Sequence, residues 1–268
     1  MRIVIVIALA GLTIYAVLCA VLYVKQEDFI FFRVANHPSL VRRWQSHRVV
    51  IPSADTVIEG WWADNPNSRN NLVILYFGGN AEDVLQTADS FNRFDARRML
   101  VTNYRGYGAT AGKPGEQALF ADAQAIYDYA VSQSGVSADN IVAMGRSLGS
   151  GVATYLAAAR PVRGVILVTP YDSLSAVAQA HYPFFPVRWL LRHRFASIEW
   201  AKRIRTPVLM LSAEQDNIVP PIHAQHLYDA WLGPKENHML PSVGHNDIER
   251  QARYYPLINS FLAQRLVN

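Results

Sequence analysis

Cysteine is almost absent. Cys19 stands alone among 268 residues, so no intramolecular disulfide can form and a small disulfide-stapled secreted scaffold is excluded. The compartment stays open, because periplasmic proteins also occur without disulfides. Charge is scarce as well: only 17% of the residues are Asp, Glu, Lys or Arg. Lysine is the rarer base, confined to Lys25, Lys113, Lys202 and Lys235. The net charge is +4, and the basic residues are scattered instead of forming a stripe, which argues against a nucleic-acid partner. No internal repeat, low-complexity tract or long Gly/Ser linker appears. Neither does a metal-ligand cluster or a dinucleotide fingerprint, so no metal and no cofactor is expected.

Apolar residues are abundant. They make up 51% of the chain, and 268 residues suit one large α/β domain with a short appendage. The appendage is the N-terminus. Ile3–Val24 carries no charge, and a bilayer core asks for about 20 apolar residues in a helix. A cleaved signal peptide has a shorter apolar region ending in a small-x-small site; Ala8-Leu9-Ala10 has that form but comes too early. Leu18 before Cys19 fits a lipoprotein cleavage site poorly, and abrupt polar flanks disfavour a buried core helix. An uncleaved single-pass anchor over residues 1–24 is the expectation. The expected location is the bacterial inner membrane, N-terminus inside and catalytic domain in the periplasm, although the flanking charges code orientation weakly. Residues 25–46 read as a juxtamembrane segment. Its Phe29, Phe31, Phe32 and Trp44, among Arg33, Arg42 and Arg43, suit either headgroups or the edge of the domain.

From residue 47 to 268 strands and helices alternate. His47–Ile51 and Val57–Trp62 read as an antiparallel pair. Leu72–Phe77, Met99–Asn103, Ile141–Met144, Val165–Val168 and Val208–Leu211 are short apolar runs, as in strands buried on both faces. Helices are expected over Gln117–Tyr129, from Leu148, over Ile222–Trp231 and over Asp247–Leu266, with a last strand near Met239 and Leu240. This alternation predicts an α/β fold: a mostly parallel sheet with helices on both faces.

Gly145-Arg146-Ser147-Leu148-Gly149 is a Gly-x-Ser-x-Gly motif with an apolar strand before it and a small-residue helix after it. That context suits a nucleophile raised on a sharp strand-to-helix turn. Serine needs a base, and in such sites acid and histidine follow it in that order. Asp216 leaves the Val208–Leu211 strand and leads into Asn217-Ile218-Val219-Pro220; Asp172 is the runner-up acid and Glu214 the third. Chain order removes His37, His47, His181 and His193. His223 and His226 fall in a helix and are expected to face solvent, while His238 sits at the last strand. His245, where a loop meets the final helix, is the expected base, with Asp247 capping that helix. Two backbone donors are expected for an oxyanion: Leu148 N–H, and Asn80 N–H in the loop Phe77-Gly78-Gly79-Asn80-Ala81.

Five stretches together resemble the α/β-hydrolase superfamily: Tyr76–Asp83, Asn103–Gly108, Gly145–Gly151, Ser212–Pro220 and Gly244–Asp247. They are most similar to its membrane-anchored group that includes abhydrolase-domain-containing protein thirteen and its bacterial and fungal relatives. The resemblance covers roughly residues 45–255. It implies a serine hydrolase with its triad on Ser147, Asp216 and His245. That family's oxyanion loop reads His-Gly-Asn; Gly78 takes the histidine's place here, while Gly79 and Asn80 match. Arg105 falls on a position that supports a loop. The cap between Tyr171 and Arg203 is short, so the lid is minimal. Phe184, Phe185, Trp189 and Leu190 within it are expected to line an acyl pocket or to press on lipid. The expected substrate is an acyl-containing small molecule or lipid, cleaved at an ester or thioester. A peptidase of the same fold and a catalytically idle membrane-anchored interaction module are the alternatives.

Overall fold

Strand and helix alternate through most of the computed structural model, which describes residues 1–266. The strands are β1 (Arg48–Ser53), β2 (Thr56–Asp64), β3 (Val73–Phe77), β4 (Arg98–Thr102), β5 (Ile141–Arg146), β6 (Gly164–Val168), β7 (Val208–Ala213) and β8 (Lys235–Leu240). The helices are α1 (Arg2–Ile30), α2 (Pro38–Arg43), α3 (Val84–Asp89), α4 (Glu116–Val131), α5 (Leu148–Ala159), α6 (Leu174–His181), α7 (Val187–Leu190), α8 (Ser197–Ala201), α9 (Pro221–Ala230) and α10 (Tyr254–Leu266).

The strands form one eight-stranded sheet in the order β1-β2-β4-β3-β5-β6-β7-β8. β1 pairs antiparallel with β2, and β2 antiparallel with β4. The other pairs are parallel, as strands joined by crossover helices must be. Side chains alternate along each strand, so one strand feeds two cores. Val73, Leu75 and Phe77 of β3 join Phe120 and Ala123 of α4 and Val152 and Leu156 of α5. Ile74 and Tyr76 join Leu85 of α3 and Ile258 and Phe261 of α10 on the opposite face. This is the α/β architecture expected, with helices on both faces and a lid of only three short helices, α6 to α8.

One element departs from expectation. The helix expected over Asp247–Leu266 is broken: a single turn at Ile248–Arg250 is followed by α10 from Tyr254. Pro256 explains the break, because inside a helix begun at 247 its ring would collide with the carbonyl of residue 252 and its missing N–H would leave that carbonyl unbonded. Starting at Tyr254 puts Pro256 in the first turn, where no N–H is needed.

α1 projects from the domain: among its residues only Gln26 is buried. It is the one helix among the described residues long and apolar enough to cross a membrane. The chain just after it is bonded into the domain. Phe31 is buried in the core, edge-on to Phe195. Asn36 Nδ2 donates to Asp83 at 2.6 Å, and Trp44 Nε1 donates to Asp89 at 2.8 Å. Phe29 and Phe32 remain exposed. The aromatics of residues 25–46 therefore divide between the domain's surface and its interior.

Candidate active site

β5 ends at Arg146 and α5 begins at Leu148, leaving Ser147 alone in the turn with φ 50° and ψ −117°. A non-glycine residue held there stores on the order of 1–3 kcal/mol of backbone strain, which the packing around it must sustain. Two glycines make the turn possible. A Cβ on Gly145 would lie 2.1 Å from the Gly149 carbonyl oxygen, and one on Gly149 would lie 2.0 Å from that of Phe77. Ser147 N–H donates to Val168 O at 2.9 Å, tying the turn to the neighbouring strand.

Asp216 stands in the loop leaving β7. Its Oδ1 accepts the N–H groups of Ile218 (3.0 Å) and Val219 (2.7 Å), which fixes the carboxylate and leaves Oδ2 for His245 Nδ1 at 2.7 Å. His245 Nε2 lies 2.8 Å from Ser147 Oγ. A carboxylate can only accept, so Nδ1 carries the proton and Nε2 presents a lone pair to the serine hydroxyl. Asp216 and His245 are both buried, which shields this chain of hydrogen bonds from water.

The loop carrying His245 is braced from below. Glu214, the third candidate acid, accepts Ser242 N–H at 3.0 Å. Asp247 turns back to accept Gly244 N–H at 2.7 Å and makes no side-chain cap on the following turn, in contrast to the capping role expected for it. Arg146 Nη2 donates to the His245 carbonyl at 3.2 Å.

Leu148 follows Ser147 directly, and Asn80 follows Gly79. Leu148 opens α5, whose N-terminal dipole favours negative charge. The Asn80 loop runs past Ser147, since a Cβ on Gly79 would lie 3.6 Å from Ser147 Cβ. Its shape is held at five points, one of them Tyr107 Oη donating to Asn80 Oδ1 at 2.7 Å. Gly79 N–H donates to Glu82 at 2.7 Å, and Tyr104 Oη donates to Gly78 O at 2.8 Å. Asn80 Nδ2 donates to Ile30 O at 2.7 Å, and Asn80 Oδ1 accepts Phe32 N–H at 2.9 Å. Gly78 is fitted to its neighbours, because a Cβ there would lie 2.8 Å from Val84. Glu82 and Arg146 went unremarked as site residues in the sequence. The signal available was position alone: Glu82 lies three residues past Gly79, in reach of its N–H. Arg105 makes a buried two-pronged pair with Asp122, at 2.7 and 2.6 Å, beneath the Asn103–Gly108 loop.

Residues 107–264 match the prolyl oligopeptidase family. An uncharacterised protein of Mycobacterium tuberculosis is 36% identical over 75% of this chain and 73% of its own length. Human alpha/beta hydrolase domain-containing protein 17B is 30% identical over 76% of this chain and 70% of its own. An uncharacterised membrane protein of Saccharomyces cerevisiae is 32% identical over 78% and 76%. The chain belongs to the α/β-hydrolase superfamily. Among solved structures, the Pyrococcus furiosus esterase Pf2001 has the same fold, with a TM-score of 0.67 at 17% identity over 87% of this chain and 98% of the esterase. Ser147 and Asp216 stand beyond the carboxyl ends of the parallel strands β5 and β7, the edge at which open α/β sheets bind their ligands.

Asp172, the runner-up acid, also follows a parallel strand, β6. Its oxygens meet His223 Nδ1 and His226 Nδ1, each at 3.0 Å. His223 is buried, which corrects the expectation that it faces solvent; α9 turns this face toward the loop after β6. The three are residue types that hold divalent metals, and their ligand atoms lie within 4.8 Å of one another. Here the imidazoles and the carboxylate satisfy one another directly.

The four residues expected to wall an acyl pocket lie on the side of the cap that meets α1. Phe184 and Trp189 are 86% and 88% exposed, so neither is enclosed in a pocket. Phe185 stacks on Tyr15, and the Leu190 carbonyl accepts a hydrogen bond from Gln26. Phe184 and Trp189 thus face outward, whereas Phe185 and Leu190 are half-buried beside α1.

Proposed function

We propose that this hydrolase is a membrane-anchored serine hydrolase that cleaves ester or thioester bonds through an acyl-enzyme. The observation that carries the reading is the unbroken hydrogen-bonded chain from Ser147 Oγ through His245 to Asp216. In this reading Ser147 Oγ attacks the acyl carbon as its proton passes to His245 Nε2. Asp216 holds the imidazole in the required tautomer and stabilises the imidazolium. The tetrahedral oxyanion is received by the N–H groups of Leu148 and Asn80. Its collapse expels the leaving group, which takes the proton from His245. Water then attacks the acyl-Ser147 ester with His245 again as base, releasing the acid and restoring the serine.

Anchoring is supported by the length and exposure of α1, and a yeast relative carries membrane protein in its name. The reading places residues 1–24 across the bacterial inner membrane, with residues 47–268 as the catalytic unit in the periplasm. The substrate is an acyl compound or lipid, and no part of the mechanism calls for a metal or cofactor. A peptidase is the second reading, favoured by the match to the prolyl oligopeptidase family.

The test pairs a fluorophosphonate probe with p-nitrophenyl esters and aminoacyl p-nitroanilides, on wild type and Ser147→Ala. Labelling and ester turnover by wild type, both lost in Ser147→Ala, are the expected outcome. Turnover of anilides alone turns the assignment to the peptidase. A folded wild type that neither labels nor turns over leaves the idle interaction module.

A further inference from the structure

The cap segment after α6 does not fold only over the domain; it runs along α1. Tyr15 Oη donates to Phe184 O at 2.8 Å, and the Tyr15 ring stacks on Phe185 with centroids 5.7 Å apart. Further up α1, Gln26 Nε2 donates to Leu190 O at 3.2 Å, and Gln26 Oε1 accepts Arg192 N–H at 2.7 Å. Arg192 also lies over the Tyr23 ring, 5.4 Å from its centroid. The two segments therefore lie side by side, with Phe184 beside Tyr15 and Leu190–Arg192 beside Tyr23–Gln26.

This register sets a depth. The apolar stretch of α1 ends at Lys25, and Tyr15 lies ten residues before it. At 1.5 Å per residue that is about 15 Å along the helix. Half of a bilayer's hydrocarbon core is also about 15 Å. If Lys25 marks the interface, Phe184 and Phe185 reach toward the middle of the membrane.

Two further features suit that depth. Phe184, Trp189 and Tyr182 are exposed, and the run Tyr182–Leu191 carries a single charge, Arg188, long enough to reach back to the interface. Irregular backbone inside a membrane also requires that its carbonyls be bonded, and six of the ten in this run have a partner. Those of Tyr182 and Phe185 accept from Gln179, that of Pro186 from Trp189 N–H, that of Val187 from Leu191 N–H, and those of Phe184 and Leu190 from α1. Pro183 and Pro186 bring no N–H at all.

We propose that residues 182–191 are embedded in the hydrocarbon of the leaflet next to the catalytic domain. The inference rests on α1 being the membrane anchor. Its occupant is lipid hydrocarbon, chosen because the aromatic face is continuous with the apolar helix.

The test uses the full chain in phosphatidylcholine/phosphatidylglycerol liposomes, with Cys19→Ser as background. Nitroxide labels are placed through Phe184→Cys, Trp189→Cys, Leu12→Cys in α1 and Ser134→Cys on the domain surface, and relaxation by oxygen is compared with relaxation by a water-soluble nickel chelate. The expected result is that labels at 184 and 189 shift from the Ser134 value to the Leu12 value. Labels at 184 and 189 matching Ser134 while Leu12 is lipid-exposed overturn the proposal and leave the anchor standing. A water-exposed Leu12 label overturns both.

Discussion

Two aspartates stand beyond the carboxyl ends of adjacent parallel strands, and each holds a histidine. Asp216 after β7 spends one oxygen on two backbone N–H groups and the other on His245, whose far nitrogen meets Ser147. Asp172 after β6 spends its two oxygens on His223 and His226, three residues apart on one face of α9. An Asp–His contact is thus common to both places, and it does not by itself mark a catalytic group. In the first cluster the carboxylate is fixed by backbone so that one imidazole aims at Ser147. In the second, the carboxylate bridges two imidazoles of the same helix and clamps α9 to the loop after β6. Since α9 begins directly after the Asp216 loop, the clamp steadies the ground on which the proposed triad acid stands.

Substitution at the two aspartates separates them most strongly. Asp216→Asn presents a donor where His245 Nδ1 needs an acceptor, favouring the wrong tautomer; kcat on p-nitrophenyl esters is expected to fall by about 10⁴ with the fold intact. Asp172→Asn is expected to leave kcat within about tenfold, since no reacting atom is touched, yet to destabilise the domain by about 1–3 kcal/mol as one imidazole loses its acceptor. In a domain of this size each kcal/mol lowers Tm by about 2–4 °C, which a thermal melt resolves. An Asp172→Asn enzyme that is stable but inactive would exchange the roles of the two aspartates. His226→Ala sharpens the contrast. His226 is half-exposed where His223 is buried, so its loss is expected to cost less than the loss of His223 in the same melt.

The first cluster was legible in the sequence and the second was not, and the reason is physical. Ser147, Asp216 and His245 each sit in a short local pattern, a strand end followed by a turn, and they follow one another in the order serine, aspartate, histidine. His223 looked like a surface residue because the face that α9 buries is decided by a loop 51 residues away, around Asp172. The same limit hid the seating of Asn80, whose side chain bonds the end of α1 50 residues earlier. The strands were readable because runs such as those of β3 and β6 are buried on both faces and so are apolar throughout. The break before α10 is also written in the sequence, because Pro256 overrides the apolar spacing around it.

Acid pH offers the finest comparison. Burial by itself would raise the Asp172 carboxyl, but the hydrogen bonds from His223 and His226 outweigh it and hold the group below the ordinary carboxylate range. A carboxyl whose pKa is lower in the folded than in the unfolded chain adds stability that is complete above the unfolded value, about 3.9. That stability is lost as pH falls through the folded value, because the unfolded chain takes up the proton first. The side-chain amide introduced by Asp172→Asn does not titrate in this range. The gap in urea midpoint between wild type and Asp172→Asn is therefore expected to be widest near neutrality and to close as pH falls below about 4. Other carboxylates are common to both chains and cancel in the difference. A gap that stays constant down to about pH 3, below the unfolded carboxyl value, would mean that the clamp holds α9 by shape and packing, with the carboxylate's charge contributing nothing to it.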